Sequence, residues 1–367
     1  MKIVSEKISF GDSLALESGQ VLTDFELMIE TYGELNSDKT NAVLVCHAFS
    51  GNHHAAGIKD GETKSGWWDE IIGDGKTIDT TRFFVVSLNN IGGCHGSSGP
   101  TTIATESGQP YGANFPEVSV SDWVETQKLL ADHLGINCWE MVAGGSLGGM
   151  QALQWAISYP ERIKKAAIIA ASSKISTQNI ALNEVAREII RKDEHFHNGD
   201  YLTKGELPKN GLKAARMLGH ITYLSESNMS KRFGRKLQDP ENKMDADVNY
   251  EVENYLQYKG EQFSKTFDAN SYILMTKAMD SFDPAKDFDD DLVKCLQSIQ
   301  AKLLIASFDS DWLFPKEYGL DIQMSAIKAG IESTYIELDG DYGHDSFLFY
   351  SDQYAAALKN FLNSNGY

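Results

Sequence analysis

The sequence predicts a doubly wound α/β fold, built on one mostly parallel sheet and interrupted once by a helical insertion. Three observations predict it. Short continuous apolar runs recur, each ending in a Gly/Ser-rich loop, as strands buried on both faces of a parallel sheet do. Helix-period stretches alternate with these runs. The alternation stops near Ile175 and resumes only after Leu296.

Taken in order, the first forty residues hold alternating runs such as Phe25-Glu26-Leu27-Met28-Ile29, which read as antiparallel strands leading into the sheet. Ala42–Cys46 is the first continuous apolar run, and His47-Ala48-Phe49-Ser50-Gly51 is its loop. Phe83–Leu88 follows, then Met141–Gly145 and Ala166–Ala170, with helices expected over Val120–Leu134 and Met150–Ser158. From 175 to 296 the chain is helical and charged, with a turn-rich stretch near 198–210. Strand patterns return at Lys302–Phe308 and Ser333–Leu338, and a final helix ends near Phe361. The division is therefore a core of residues 1–174 and 297–367 and a helical lid of 175–296. The acidic run Asp287–Asp291 reads as a solvated loop where the chain returns to the core.

At 367 residues the chain exceeds what one growing core accommodates, which suits a large domain with an insertion. The net charge of −19 argues against a nucleic-acid or anionic-membrane partner, though a pocket can be locally basic. Four scattered cysteines, with no CxxC pair, fit a reducing compartment. No run approaches a membrane span and the first residues carry no apolar signal core, so a cytoplasmic location is expected.

Gly144-Gly145-Ser146-Leu147-Gly148 is a G-x-S-x-G motif between an apolar strand and a helix, the context of the nucleophile elbow of α/β hydrolases. The turn is too sharp for side chains two residues either side of the serine, and the helix aims its first amides at the site. A serine needs a base, and the base an orienting acid. In this fold they follow the serine in the order acid, histidine. Of the downstream histidines, His195, His197 and His220 fall in the insertion. His344 lies between the last strand and the last helix, where the base belongs. Asp309 and Asp311 both follow the preceding strand; Asp311 is nearer the expected loop tip, and composition alone leaves the two open. The oxyanion hole is expected from the backbone amides of Leu147 and Phe49. His47 reads as a loop histidine holding neighbouring backbone groups, with a catalytic part as the alternative. No set of metal ligands is read.

The chain resembles the homoserine O-acyltransferases of methionine biosynthesis. The resemblance rests on Cys46–Gly51, Gly66-Trp67-Trp68-Asp69, Val85–Pro100, Gly144–Trp155, Ala215–Tyr223, Arg232-Phe233-Gly234-Arg235, Ser310–Pro315 and Gly343-His344-Asp345, in order along the chain. It favours Asp311 over Asp309. It implies ping-pong transfer through an acyl-Ser146, with acyl-CoA as co-substrate, no permanently bound cofactor, and L-homoserine as acceptor. It also implies that Arg216 clamps the homoserine carboxylate and Asp345 meets its ammonium, chemistry that suits both side chains. Unaided, Arg216 reads as a surface helix arginine paired with a glutamate, and Asp345 as a helix N-cap. The family supplies a homodimer, expected through the insertion. An arginine two residues after the triad aspartate marks relatives similar to the succinyl-using members, whereas this chain has Leu313. That apolar residue favours acetyl-CoA as donor, while His53-His54 and Ile221–Ser225 look more like the succinyl-using sequences. Esterase action by the same machinery is the further alternative. Trp67-Trp68 reads as pocket lining or packing anchor, and Lys231, Arg232 and Arg235 as contacts to CoA phosphates or a solvated face.

Overall fold

A computed structural model describes residues 1–59, 61, 63–238 and 250–364. Its centre is an eight-stranded sheet of β1 (Ile3–Phe10), β2 (Phe25–Tyr32), β3 (Ala42–Cys46), β4 (Phe84–Leu88), β5 (Met141–Gly145), β6 (Lys165–Ile169), β7 (Lys302–Phe308) and β8 (Ser333–Leu338). Their order across the sheet is β1-β2-β4-β3-β5-β6-β7-β8. β1 and β2 pair antiparallel over their full length, and β2 joins β4 antiparallel; every pairing from β4 to β8 is parallel. The central strands β3, β5 and β6 are buried at every residue, which is why, Lys165 apart, they are written in continuous apolar residues and glycine rather than alternating patterns. The α/β-hydrolase architecture expected from the sequence is the one observed.

Helices α1 (Val120–Leu134) and α2 (Leu147–Ser158) precede and follow β5. A capping box between Ser119 and Asp122 starts α1, and Gly135 in the left-handed region ends it. The α2 helix starts three residues earlier than its periodicity suggests. Leu147, Gly148 and Gly149 are already helical because the elbow closes directly into the first turn.

Between β6 and β7 the regular elements of the described residues are all helical: α3 (Thr177–Arg191), α4 (Tyr201–Lys204), α5 (Lys209–Tyr223), α6 (Glu226–Arg232), α7 (Glu251–Ser264), α8 (Ala269–Asp280) and α9 (Leu292–Leu296), besides short 3-10 turns. Asp291, the end of the acidic run, caps α9 through Val293 N and Lys294 N, so that run is not merely solvated. Helices α10 (Lys316–Ala329) and α11 (Asp352–Asn363) complete the core. No described helix is long and apolar enough to cross a membrane.

Candidate active site

Three loops at the carboxyl ends of the strands bring the candidate residues together, which is where ligands bind in open α/β sheets. Ser146 follows β5, Asp311 follows β7, and His344 follows β8. Ser146 Oγ donates to His344 Nε2 at 2.8 Å, and His344 Nδ1 donates to Asp311 Oδ2 at 2.7 Å, in the tautomer that satisfies both bonds. Asp311 Oδ1 accepts the amides of Leu313 and Phe314, so both carboxylate oxygens are held in place. All three residues are buried. Asp309 instead accepts Gly340 N on the exposed side of the loop, which decides between the two aspartates. The His344 ring stacks on Phe314 at 4.8 Å and meets Phe347 edge-on at 5.6 Å.

The elbow is visible in its torsions. Ser146 has φ 57° and ψ −124°, a conformation that favours glycine. A side chain at Gly148 would run into the Cys46 carbonyl, and one at Gly144 would lie 2.5 Å from the Gly148 backbone. The motif glycines are thus required where β3 passes against the first turn of α2. Leu147 is the first residue of α2, so its amide has no intrahelical acceptor. Phe49 occupies the second position of the turn closed by Gly51 N to Ala48 O, which leaves its amide out of the turn bond.

Sequence reasoning missed the groups that tie these two amides together. Gln151 Nε2 donates to His47 O at 3.3 Å and to Leu147 O at 3.2 Å, linking the β3 loop to the elbow helix. Gln127 Nε2 donates to Gln151 Oε1 at 2.6 Å, and Trp155 Nε1 donates to Gln127 Oε1 at 2.6 Å. His47 Nδ1 donates to Ala48 O and its Nε2 accepts Asn90 N. Burial pushes the His47 imidazole down to about 4, so it stays neutral and holds backbone. The only signal in the sequence was that Gln151 is a polar residue on the apolar face of α2.

Ser146 and His344 open into a cavity of about 140 Å³ lined also by Phe49, Arg216, Tyr223, Leu313 and Asp345. Arg216 is not the surface arginine its unaided reading suggests. It lies 4.7 Å over the Phe263 ring and 5.4 Å over the Tyr223 ring, and its buried Nη1 has no hydrogen-bond partner. Asp345 lies inside the 3-10 turn Gly343–Leu348, not at its N-cap. Burial raises its carboxyl above the usual range, against the pull of His344, Arg216 and Lys259. The pair places a guanidinium and a carboxyl group in the same cavity as Ser146.

Residues 41–350 match the alpha/beta hydrolase fold family. A homoserine O-succinyltransferase of Neisseria gonorrhoeae is 53% identical over 99% of this chain and 96% of its own length. A homoserine O-acetyltransferase structure from Bacillus anthracis superposes with a TM-score of 0.90 at 27% identity, covering 99% of this chain and 98% of the other. The chain belongs to the homoserine O-acyltransferase family. The same scaffold also carries hydrolases: the structure of esterase E22 matches with a TM-score of 0.89 at 29% identity, over 99% of this chain and 100% of that one.

In this homoserine O-acyltransferase family member, Leu313 lines the cavity while its carbonyl is held by Asn179 Nδ2 at 3.1 Å. The acetyl preference read from Leu313 is not the one carried by the name of the gonococcal relative. Trp67 and Trp68 stack at 5.3 Å as a packing anchor and line no part of the cavity; Trp68 is fully buried and donates to Phe347 O, bracing the His344 loop. The four cysteines are free thiols. Burial pushes Cys94 up to about 12, which leaves it un-ionised and a poor rival nucleophile.

Proposed function

We propose that the protein transfers an acyl group from acyl-CoA to the side-chain hydroxyl of L-homoserine, in methionine biosynthesis, by a ping-pong reaction at Ser146. The observation that carries this reading is the unbroken hydrogen-bond chain Asp311–His344–Ser146 at the floor of a cavity whose wall presents Arg216 and Asp345. His344 Nε2 takes the Ser146 proton as Oγ adds to the thioester carbonyl. The amides of Leu147 and Phe49 meet the developing oxyanion, and the imidazolium returns its proton to the departing thiolate. Arg216 holds the homoserine carboxylate and Asp345 its ammonium, which aims the hydroxyl at the acyl-Ser146 carbonyl. His344 takes that hydroxyl proton and returns it to Ser146 as the ester leaves. Asp311 keeps the imidazole in the required tautomer throughout.

Succinyl-CoA is the donor this reading favours, on the names of relatives at about half identity over nearly the whole chain. Acetyl-CoA is the second reading, and the specific observation for it is Leu313, which offers no charge to a succinyl carboxylate. The test is intact-protein mass spectrometry after mixing with each donor, followed by turnover with homoserine and with serine. A succinyl adduct on Ser146 that homoserine discharges is expected. An adduct that persists in Ser146→Ala would sink the nucleophile, and a higher kcat/KM for acetyl-CoA would overturn the donor while leaving the triad intact. Rapid release of free acid without homoserine would place the protein with the esterases instead. The reading also takes the chain as a cytoplasmic homodimer joined through the helical insertion, where α3 leaves Ile180 and Val185 exposed. Sedimentation as a monomer at micromolar concentration would remove the dimer.

A further inference from the structure

The chain carries 52 acidic against 33 basic side chains, and its basic groups divide between those that meet a carboxylate and those that meet none. The insertion sorts its cations accordingly. Lys213 pairs with Glu261, Lys231 with Asp341 at 2.9 Å, and Arg235 donates to the Tyr250 hydroxyl at 2.9 Å. Two of the three basic residues expected to face CoA are thereby committed elsewhere. Arg232 is not, and it has a companion that the sequence did not single out. Its guanidinium lies 4.8 Å over the Tyr255 ring, and Lys259 Nζ lies 5.8 Å from the same ring. Neither forms an ion pair with a carboxylate among the described residues.

The two cations are connected to the cavity by a ladder of rings. Tyr255 stands 5.6 Å from His220 and its hydroxyl meets His220 Nδ1 at 3.3 Å. His220 lies 5.9 Å from Tyr223, which lines the cavity and lies 6.4 Å from His344. Burial, and then the charges of Arg216, Lys259 and Arg232, push His220 down to about 3, so it adds no positive charge of its own. Burial first, then Arg216 and Arg232, hold the Lys259 ammonium below the usual lysine range, with Asp345 only partly opposing them. The group is therefore a partly desolvated positive patch that no carboxylate among the described residues contacts. Aromatic faces hold such cations in place without neutralising them. The Tyr223 and His220 rings separate this patch from the reacting end, where Arg216 and Leu313 stand beside Ser146.

We propose that Arg232 and Lys259, both set against Tyr255, form an anion site beyond the Tyr223 wall of the cavity that takes the phosphate groups of the acyl donor. This rests on the reading of the donor as an acyl-CoA. The ligand chemistry is an anion remote from the thioester carbonyl. Phosphate is favoured over the acyl carboxylate because a short acyl group on Ser146 ends near Leu313.

The test is the double variant Arg232→Gln/Lys259→Gln, two positions outside the triad and its hydrogen bonds. Steady-state kinetics are measured with succinyl-CoA, with acetyl-CoA and with the succinyl thioester of N-acetylcysteamine, which carries no phosphate. KM for both CoA donors is expected to rise by about tenfold or more, as loss of charge-assisted contacts does, with kcat for the phosphate-free thioester unchanged. A loss confined to the two succinyl donors, with acetyl-CoA unaffected, would overturn the phosphate assignment and make the site one for the acyl carboxylate. No change with any donor would overturn the site itself. Should the unmodified protein use no CoA thioester, the proposed function fails. Calorimetric binding of CoA then still tests the site, and equal affinity in the unmodified protein and the variant would remove it.

Discussion

At Ser146 a β-carbon occupies backbone torsions that glycine adopts freely. Such a residue costs on the order of 1–3 kcal/mol, and it persists because β3, β5 and α2 leave the turn no other path. Glycine at this position would relieve that strain and lose less than about 1 kcal/mol to the added freedom of its unfolded chain. Ser146→Gly is therefore expected to be about 1 kcal/mol more stable in urea than the unmodified protein and devoid of acyl transfer. A variant that is inactive and no more stable would show that the elbow stores no strain. The aspartates show a second residue-scale effect. Asp309 and Asp311 differ by two positions, yet one accepts a loop amide at the surface and the other is sealed beneath His344.

Among the elements, α2 contributes more than the serine at its N-terminus. One turn into it, Gln151 binds the carbonyl before the Phe49 turn and the carbonyl of Leu147 with a single amide nitrogen. The distance between the two expected oxyanion donors thus depends on a side chain that touches neither substrate nor triad. Gln127 on α1 holds Gln151 in that orientation. An apolar replacement, Gln151→Leu, is expected to lower kcat by about a hundredfold, the scale of losing one oxyanion donor, while KM for homoserine moves little. Gln151→Glu, which retains an acceptor for Gln127 but lacks the donor, is expected to fall similarly. Paired losses in melting temperature with an unchanged kcat would reduce this bridge to packing.

For the whole molecule, acidity and buried histidines set the pH response. His47 and His53 are pushed down to about 4 and His220 to about 3, in each case chiefly by burial. Their folded values lie below the ordinary histidine value. Below about pH 6.5 the unfolded chain therefore takes up protons that the native state refuses, and stability falls as pH drops towards 4. Asp268 and Asp345 act in the opposite sense, because burial raises their carboxyls and the native state protonates them first. Urea unfolding between pH 7 and 4.5 is expected to show the decline, and His220→Asn to reduce its slope near pH 5 by about one proton. A slope that His220→Asn leaves intact would show that this histidine is not a source of it.

Periodicity by itself determined the main strands and the core helices α1, α2 and α11, because strand burial and amphipathic faces are written in local residue order; it marked the insertion as helical without placing its helices. The β3 and β5 limits were read to the residue, as were those of α1, whose Ser119 box and Gly135 cap are local devices. The elbow at Ser146 was legible for the same reason, since a strand, a sharp turn and a helix are contiguous. Choices among like residues needed distance. Asp311 over Asp309, Lys259 beside Arg232, and Gln151 between two loops depend on segments tens to hundreds of positions apart meeting at the strand ends. The donor question has the same origin. Leu313 is apolar whatever surrounds it, but whether a cation from α6 or α7 compensates for it is decided where those helices pack, and no local pattern encodes that distance.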